Sequence, residues 1–207
     1  MQYGFHFDST RCTGCKTCTV ACKDYHDQTQ KFAYRKVYEI SGGDWVEGED
    51  GAWSNSVYTY LVSANCGHCD DPACTHVCPT GAMHKDGETG LVGVDATRCI
   101  GCGYCAMACP YGNPKVDRDK GHSVKCDGCI DRVREGKNPI CADACPLRAI
   151  DFGPIDELRR RFGTLDELFP LPAASYTHPN LVITPPTQTT VAAASEPQIV
   201  NTKEVLF

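Results

Sequence analysis

The sequence predicts an α+β protein built from two small, related units, one of which is inserted into the other. Three features of the 207 residues support this prediction. The cysteines fall into four closely spaced motifs, two pairs of segments repeat each other, and the halves of the repeat occur in opposite orders in the two units. Repeats of this size indicate duplicated structural units.

The central pair of motifs runs from Cys66 to Cys109 and reads C-x2-C-x4-C-x3-C-P followed by C-x2-C-x2-C-x3-C-P. Three cysteines at this spacing can hold one iron–sulfur cube, and the fourth, which precedes Pro79 or Pro110, serves a second cube. This is the cysteine run of the bacterial two-cluster ferredoxins. It predicts a ferredoxin-like unit that holds two 4Fe-4S clusters.

The repeat predicts that the second unit is a circularly permuted copy of the first. Residues 7–22 match residues 94–109 at nine of sixteen positions, and residues 72–82 match residues 139–149. In the central unit the segment 72–82 precedes the segment 94–109, whereas in the outer unit its copy, 139–149, follows the segment 7–22. The first cysteine motif should therefore pair with the fourth. The chain then divides into an outer unit (1–30 with 115–160), a β-hairpin insertion (31–65), an inner unit (66–114) and an extended C-terminal arm (161–207).

Applied to both units, the ferredoxin crossover assigns every cysteine to one of four sets, each of which would hold one 4Fe-4S cluster. Set 1 is Cys12, Cys15, Cys18 and Cys145; set 2 is Cys66, Cys69, Cys74 and Cys109; set 3 is Cys99, Cys102, Cys105 and Cys78; set 4 is Cys126, Cys129, Cys141 and Cys22. All sixteen cysteines are used as iron ligands, and none is left over.

Two other classes of protein are rich in cysteine. Secreted disulfide scaffolds are one, and zinc-binding interaction proteins with C-x2-C pairs are the other. Neither class accounts for the C-x2-C-x2-C-x3-C-P spacing or for four complete ligand sets. A zinc protein would also be colourless, whereas a four-cluster protein is brown.

Charge and motif content exclude several other functions. The net charge of −6 and the lack of a sustained Lys/Arg run argue against nucleic-acid binding. No apolar run reaches the length of a membrane span, and the N-terminal residues lack the pattern of a signal peptide. The histidines are scattered, no nucleotide-binding motif follows a strand, and no cysteine remains as a nucleophile. We therefore expect an electron-transfer protein without a catalytic site.

Two segments outside the motifs carry weaker signals. Residues 31–65 alternate loosely between apolar and polar residues, with Trp45 and Trp53 near the expected tip, where they would either pack or form a docking site. After residue 170 the composition changes to Pro, Thr, Ala and Ser, which would be disordered in a free chain. We expect this arm to become ordered by wrapping a partner chain.

The motifs resemble those of the electron-transfer subunits of molybdopterin oxidoreductase complexes, and among these the iron–sulfur subunits of anaerobic dimethyl sulfoxide reductases. The resemblance covers residues 3–160. It is carried by R-C-T-G-C-K-T-C from Arg11, C-x2-C-D-D-P-A-C from Cys66, K-C-D-G-C from Lys125 and P-L-R-A-I-D-F-G-P from Pro146.

The resemblance implies a relay between a quinol-oxidising membrane anchor subunit and a molybdopterin catalytic subunit. By analogy, the outer unit faces the catalytic subunit, and the inner unit, near Cys102, faces the anchor. The complex would lie peripherally on the cytoplasmic membrane, on the periplasmic face after export together with the catalytic subunit. Two alternatives stay open: the same role in a complex for formate, selenate, thiosulfate or polysulfide, and a free polyferredoxin.

Overall fold

The computed structural model describes residues 1–187 and 196–205. Its helices are short because the cysteine loops interrupt them: α1 (Thr17–Tyr25), α2 (Ala73–His76), α3 (Tyr104–Ala108), α4 (Ile130–Arg134), α5 (Ile140–Asp143), α6 (Ile155–Phe162) and α7 (Thr202–Val205). Over the described part of the sequence, no helix combines the length and the apolar character that crossing a membrane requires.

The strands form small separate sheets rather than one large one. They are β1 (Tyr3–Asp8), β2 (Lys36–Gly42), β3 (Trp45–Glu47), β4 (Trp53–Asn55), β5 (Tyr58–Ala64), β6 (Met83–Lys85), β7 (Val92–Val94), β8 (Lys115–Asp117), β9 (His122–Val124), β10 (Ile150–Pro154), β11 (Leu181–Thr184) and β12 (Gln198–Ile199).

Strand β1 lies at the centre of a three-stranded sheet, antiparallel to β10 and parallel to β11. Both of its faces are covered. Phe5 and Phe7 pack in the core that contains Cys18, Cys141 and Cys145. On the other face His6 stacks on Phe162 of α6 with ring centroids 3.7 Å apart. The sheet therefore separates the cysteine core of the outer unit from helix α6.

The two units use corresponding residues for corresponding contacts. By the sequence repeat, Phe7 corresponds to Val94 and Ile150 to Met83. Phe7 pairs with Ile150 between β1 and β10, and Val94 pairs with Met83 between β7 and β6. Helix α1 contacts α5 in the outer unit, and the corresponding helices α3 and α2 contact each other in the inner unit.

Residues 31–65 contain an antiparallel pair, β2 with β5, that β3 and β4 extend into a second pair. At this tip Trp45 is 61% exposed and Trp53 is 60% exposed. The two rings are thus not packing residues of this chain, and docking remains a prediction for them.

The hairpin of β8 and β9 lies against cysteines of the inner unit, although the sequence placed residues 115–124 in the outer one. Helix α3 contacts β8, and Ser123 of β9 contacts Cys99 and Cys105. These contacts connect the hairpin to set 3 of the inner unit. The division into domains stays a prediction.

The described residues of the C-terminal arm pack against this chain itself. Strand β11 extends the central sheet, and β12 adds to β2. Just before β11, the Asn180 backbone N–H donates to the Gly67 carbonyl at 2.8 Å, and the Asn180 side chain donates to the His68 carbonyl at 2.8 Å. The premise that an ordered arm needs another chain was wrong, because these contacts order it. Residues 188–195 and 206–207 lie outside the described residues, and wrapping of a partner stays a prediction.

Candidate metal centres

All four cysteine motifs turn at the residue before their second cysteine. Gly14, Gly101 and Gly128 have φ values of 71°, 67° and 73° there, and His68 has 44°. This left-handed conformation curls each loop around one point, and glycine adopts it without steric cost. His68 is the exception, with strain of about 1 kcal/mol, which suggests that its side chain makes contacts that offset the strain.

Two cavities are each lined by the four cysteines of one predicted set. The first is lined by the set 1 cysteines Cys12, Cys15, Cys18 and Cys145. The second is lined by the set 2 cysteines Cys66, Cys69, Cys74 and Cys109. In each cavity three ligands come from one motif and the fourth comes from the partner motif.

The set 4 cysteines also lie together. Burial raises the pKa of the Cys22 thiol, and the nearby thiols of Cys126 and Cys141 raise it further. Burial likewise raises the pKa of Cys129 to about 12, with contributions from the same two thiols. Cys22 lies on α1, far from the others in sequence, so helix packing brings it to the set.

Three of the four set 3 cysteines are connected by contacts. The Ser123 N–H donates to Cys99 Sγ at 3.3 Å, and the Ser123 hydroxyl lies 3.3 Å from Cys105 Sγ. Cys78 packs against the apolar cluster that contains Cys105. Cys102 is the exposed member of the set.

The spacing of the sulfurs favours a multi-metal centre over a single ion. A tetrahedral zinc ion with Zn–S bonds of 2.3 Å draws its sulfurs to about 3.8 Å from one another. Within the described residues, which include every cysteine, no three cysteine sulfurs lie mutually within 4.8 Å. The group that does meet this distance is His26, Asp127 and Cys129. Because Cys129 belongs to set 4, we interpret His26 as a hydrogen-bond partner of that ligand.

Several of the buried thiols are poor acids without a metal. Burial raises the pKa of Cys69 to about 11 and that of Cys74 to about 12, and neighbouring thiols contribute to both. Thiolates of this kind become stable when a metal replaces the proton, so metal binding and folding are coupled. The donor sets therefore fit 4Fe-4S clusters, which cysteine thiolates hold four at a time.

Comparison with known proteins agrees with these centres. Two models of the 4Fe-4S dicluster domain match residues 57–155 and 11–82. The B subunit of anaerobic dimethyl sulfoxide reductase from Escherichia coli K12 is 56% identical over 204 residues, which cover 99% of this chain and 98% of that protein. The corresponding B subunit of Haemophilus influenzae is 57% identical over 89% of both proteins.

This protein belongs to the family of anaerobic dimethyl sulfoxide reductase B subunits. It is an iron–sulfur electron-transfer subunit with four 4Fe-4S clusters, as its cysteine motifs predict. A more distant relative, the thiosulfate reductase electron transfer subunit PhsB of Salmonella typhi, is 38% identical over 75% of this chain and 78% of that protein.

Side chains that the motifs do not reveal donate hydrogen bonds to the cysteine sulfurs of this iron–sulfur subunit. Such bonds raise the reduction potential of a cluster because they stabilise the added electron. They come from loops and from the arm, so no local pattern identifies them. They are Thr177 to Cys69 (3.1 Å), His26 with Cys129 (3.3 Å), Gln28 to Cys22 (3.4 Å) and Asn65 to Cys126 (3.8 Å).

His68 and Lys125 lie between sets 2 and 4. His68 is fully buried, and its Nδ1 accepts the Val92 N–H at 2.9 Å, which leaves the proton on Nε2, 3.7 Å from Cys126 Sγ. The Lys125 ammonium group donates to the carbonyls of Val92 and Cys126. Burial opposes its charge, but the thiols of Cys66 and Cys126 raise its pKa. The space between the set 2 and set 4 cysteines therefore contains the polar side chains of His68 and Lys125.

The Thr177 contact gives a testable prediction. Replacing Thr177 with valine removes the hydroxyl that donates to Cys69 at 3.1 Å and keeps the shape of the side chain. If this hydrogen bond to the thiolate is stronger by about 1 kcal/mol in the reduced state than in the oxidised state, its loss corresponds to about 40 mV for one electron. We expect the potential of the set 2 cluster to fall by that amount in an EPR-monitored redox titration. Thr177→Ser keeps the hydroxyl and should leave the potential unchanged; an equal fall in both variants would contradict the assignment.

Proposed function

We propose that this chain relays electrons between a quinol-oxidising membrane anchor subunit and a molybdopterin catalytic subunit, and that it performs no catalysis of its own. One observation carries the proposal. Of the sixteen cysteines, two are exposed, Cys15 of set 1 and Cys102 of set 3. They are equivalent positions of the sequence repeat, and the arrangement of the sets puts them at opposite ends of a row.

Support for the order of the row comes from electrostatic interactions between thiols of different sets and from one shared apolar cluster. Burial raises the pKa of Cys141 of set 4, and Cys18 of set 1 is among the thiols that add to the rise. Burial and the nearby thiol of Cys66 of set 2 raise the pKa of Cys126 of set 4. Cys74 of set 2 and Cys105 of set 3 share one apolar cluster. These observations support the order set 1, set 4, set 2, set 3.

A linear row is what a relay needs. Iron–sulfur clusters accept and release single electrons at potentials that the protein adjusts. The interior sets exclude solvent and the end sets approach the surface, so electrons can enter and leave only at the ends. A storage protein would gain nothing from this order.

Exposed apolar side chains surround each end. Beside Cys102, Ile100 is 65% exposed and Met107 is 74% exposed. Beside Cys15, Val20 is 64% exposed and Leu147 is 42% exposed. Exposed apolar side chains grouped near a cluster loop fit a protein–protein interface. By analogy with the family, the end at Cys15 contacts the catalytic subunit and the end at Cys102 contacts the anchor.

The ligand sets and the circular permutation are part of the same proposal. Support for the sets comes from the two cavities that the set 1 and set 2 cysteines line. Support for the permutation comes from the pairing of Phe7 with Ile150 and of Val94 with Met83, since these residues correspond in the repeat. The pair β6 with β7 is a hairpin within the inner unit, whereas the pair β1 with β10 joins distant parts of the chain, as a permuted copy requires.

We propose dimethyl sulfoxide as the substrate of the complex. The two dimethyl sulfoxide reductase B subunits share 56% and 57% identity with this chain, against 38% for the thiosulfate reductase subunit. Following the family, the complex would lie on the periplasmic face of the cytoplasmic membrane, exported with its catalytic subunit.

Charged substitutions at the two ends test the relay. The double variant Ile100→Asp with Met107→Asp should weaken binding of the anchor about tenfold or more. Its clusters should no longer be reduced by a quinol but should still be reduced by dithionite. Val20→Asp with Leu147→Asp should instead weaken binding of the catalytic subunit. Co-purification and cluster reduction by a quinol are the two measurements.

A matched control is Val57→Asp, because Val57 is 44% exposed and lies between β4 and β5 in the insertion, which contributes no cysteine to any set. It should change neither association. A protein that purifies alone, and whose end variants behave like the control, would instead be a free polyferredoxin.

A further inference from the structure

Arg35 is a buried cation without a carboxylate partner among the described residues. Its side chain is 2% exposed, and Nη1 donates to the Ser63 carbonyl at 3.2 Å and to the Ser63 hydroxyl at 3.0 Å. Nε and Nη2 make no hydrogen bond within the described part of the protein. An arginine remains charged in proteins, and burial of an unpaired charge is strongly unfavourable. Some other anionic group should therefore balance this charge.

The Phe5 ring centroid lies 5.4 Å from Cζ of Arg35, and the anionic groups nearby are cysteines of two different sets. Burial opposes the charge of Arg35, but the thiols of Cys141, Cys18 and Cys126, with Cys22, raise its pKa. Cys18 belongs to set 1 and the other three to set 4. Thiolates that hold an iron–sulfur cluster are anionic, so the two neighbouring centres supply the missing counter-charge.

Ser63 connects Arg35 to set 1 in a defined direction. The Ser63 oxygen accepts from Arg35, so its own hydrogen is free to reach Cys18 Sγ, 3.6 Å away. The equivalent cysteine of the inner unit, Cys105, also has a serine beside it, Ser123 at 3.3 Å. The Ser123 hydroxyl, however, donates to the Lys115 carbonyl at 3.1 Å. An arginine therefore orients the serine beside Cys18 of the outer unit, whereas a backbone carbonyl orients the serine beside Cys105 of the inner unit.

We propose that Arg35 is a positioning residue of the electron path, and that its fixed charge, shared by sets 1 and 4, raises the reduction potentials of both centres. A permanent positive charge favours the state with one more electron, and a buried charge is screened less than a surface one. The two centres at the Cys15 end of the row are thereby better electron acceptors than they would be without Arg35. The inference rests on the ligand sets proposed above.

Three variants in the intact complex test this inference by EPR-monitored redox titration. Arg35→Met should lower the equilibrium constant for reduction of the set 1 and set 4 clusters about tenfold or more, which is about 59 mV per tenfold for one electron. Arg35→Lys keeps the charge and should restore both constants to within about threefold. Ser63→Ala removes the hydroxyl beside Cys18 and keeps the charge of Arg35 and its bond to the Ser63 carbonyl. It should lower the constant of the set 1 cluster more than that of the set 4 cluster. The set 2 and set 3 clusters serve as internal references.

Other outcomes overturn the inference. They are equal shifts of all four clusters in Arg35→Met, or a set 1 cluster that Ser63→Ala leaves unchanged. If Arg35→Met yields no iron-loaded complex, Arg35→Gln, which keeps a hydrogen-bond donor without the charge, takes its place with the same expected fall in the set 1 and set 4 clusters. Failure of the ligand sets would look different, because the double cysteine variants described below would then lose the wrong number of irons while these potentials could still shift.

Discussion

Replacing both Cys12 and Cys145 with alanine is expected to lose one cluster, whereas replacing Cys141 and Cys145 is expected to lose two. Cys145 lines the same cavity as Cys12, Cys15 and Cys18, and follows Cys141 by four residues in sequence. A protein with four 4Fe-4S clusters holds about sixteen irons, so the first variant should retain about twelve and the second about eight. Iron analysis of the purified complex is the measurement.

The two double variants are matched, because each removes two cysteines and they share Cys145. If Cys145 belonged with Cys126, Cys129 and Cys141, as simple sequence order would suggest, the two counts would be exchanged. The corresponding pair for the other crossover is Cys22→Ala with Cys141→Ala, which should lose one cluster, and Cys22→Ala with Cys18→Ala, which should lose two. EPR spectra of the reduced proteins then identify the missing centres.

A truncated protein that ends at residue 172 is expected to lose both its fold and its iron. The truncation removes β11, with the buried side chains of Leu181, Val182 and Ile183, and also Asn180. Burial of three such apolar side chains contributes about 5–9 kcal/mol, to be compared with a typical free energy of unfolding of about 5–15 kcal/mol. Iron content and resistance to proteolysis are the measurements.

A truncated protein that ends at residue 195 is the control. It keeps β11 and removes β12 and α7, which pack on β2, together with the exposed ion pair between Lys16 and Glu204. It should keep its iron and lose only part of its stability, because surface ion pairs contribute little. A protein ending at residue 172 that keeps its iron but no longer binds partner subunits would show instead that the arm serves binding.

The sequence could predict the ligands because cluster binding is a local property of each loop. The two-residue gaps and the turn before each second cysteine depend on a few neighbouring residues, and three of the four turns use glycine. The repeat added the pairing of motifs, which places Phe7 and Ile150 opposite each other as it does Val94 and Met83. Helix α6 was also predictable, from Pro154 at its start and Gly163 after its end.

The arm shows why the rest could not be predicted. Its composition resembles that of a disordered tail, yet Asn180 is fully buried and Ile183 pairs beside Phe7. Order here comes from an open edge of β1 and from the free carbonyls of Gly67 and His68, which are far away in sequence. The amino-acid composition of a segment does not reveal whether a distant part of the chain offers it a surface to pack on.

The sequence by itself determined how many clusters the protein holds, and it predicted which cysteines share a cluster and which motifs pair, since these predictions follow from spacing along the chain. Only the tertiary structure decided what surrounds each sulfur. Thr177 reaches Cys69 across 108 residues, and Arg35 reaches Cys18 through Ser63 on another strand. Reduction potentials depend on such charges and hydrogen bonds, and these are set by proximity in space, which the spacing of cysteines does not encode.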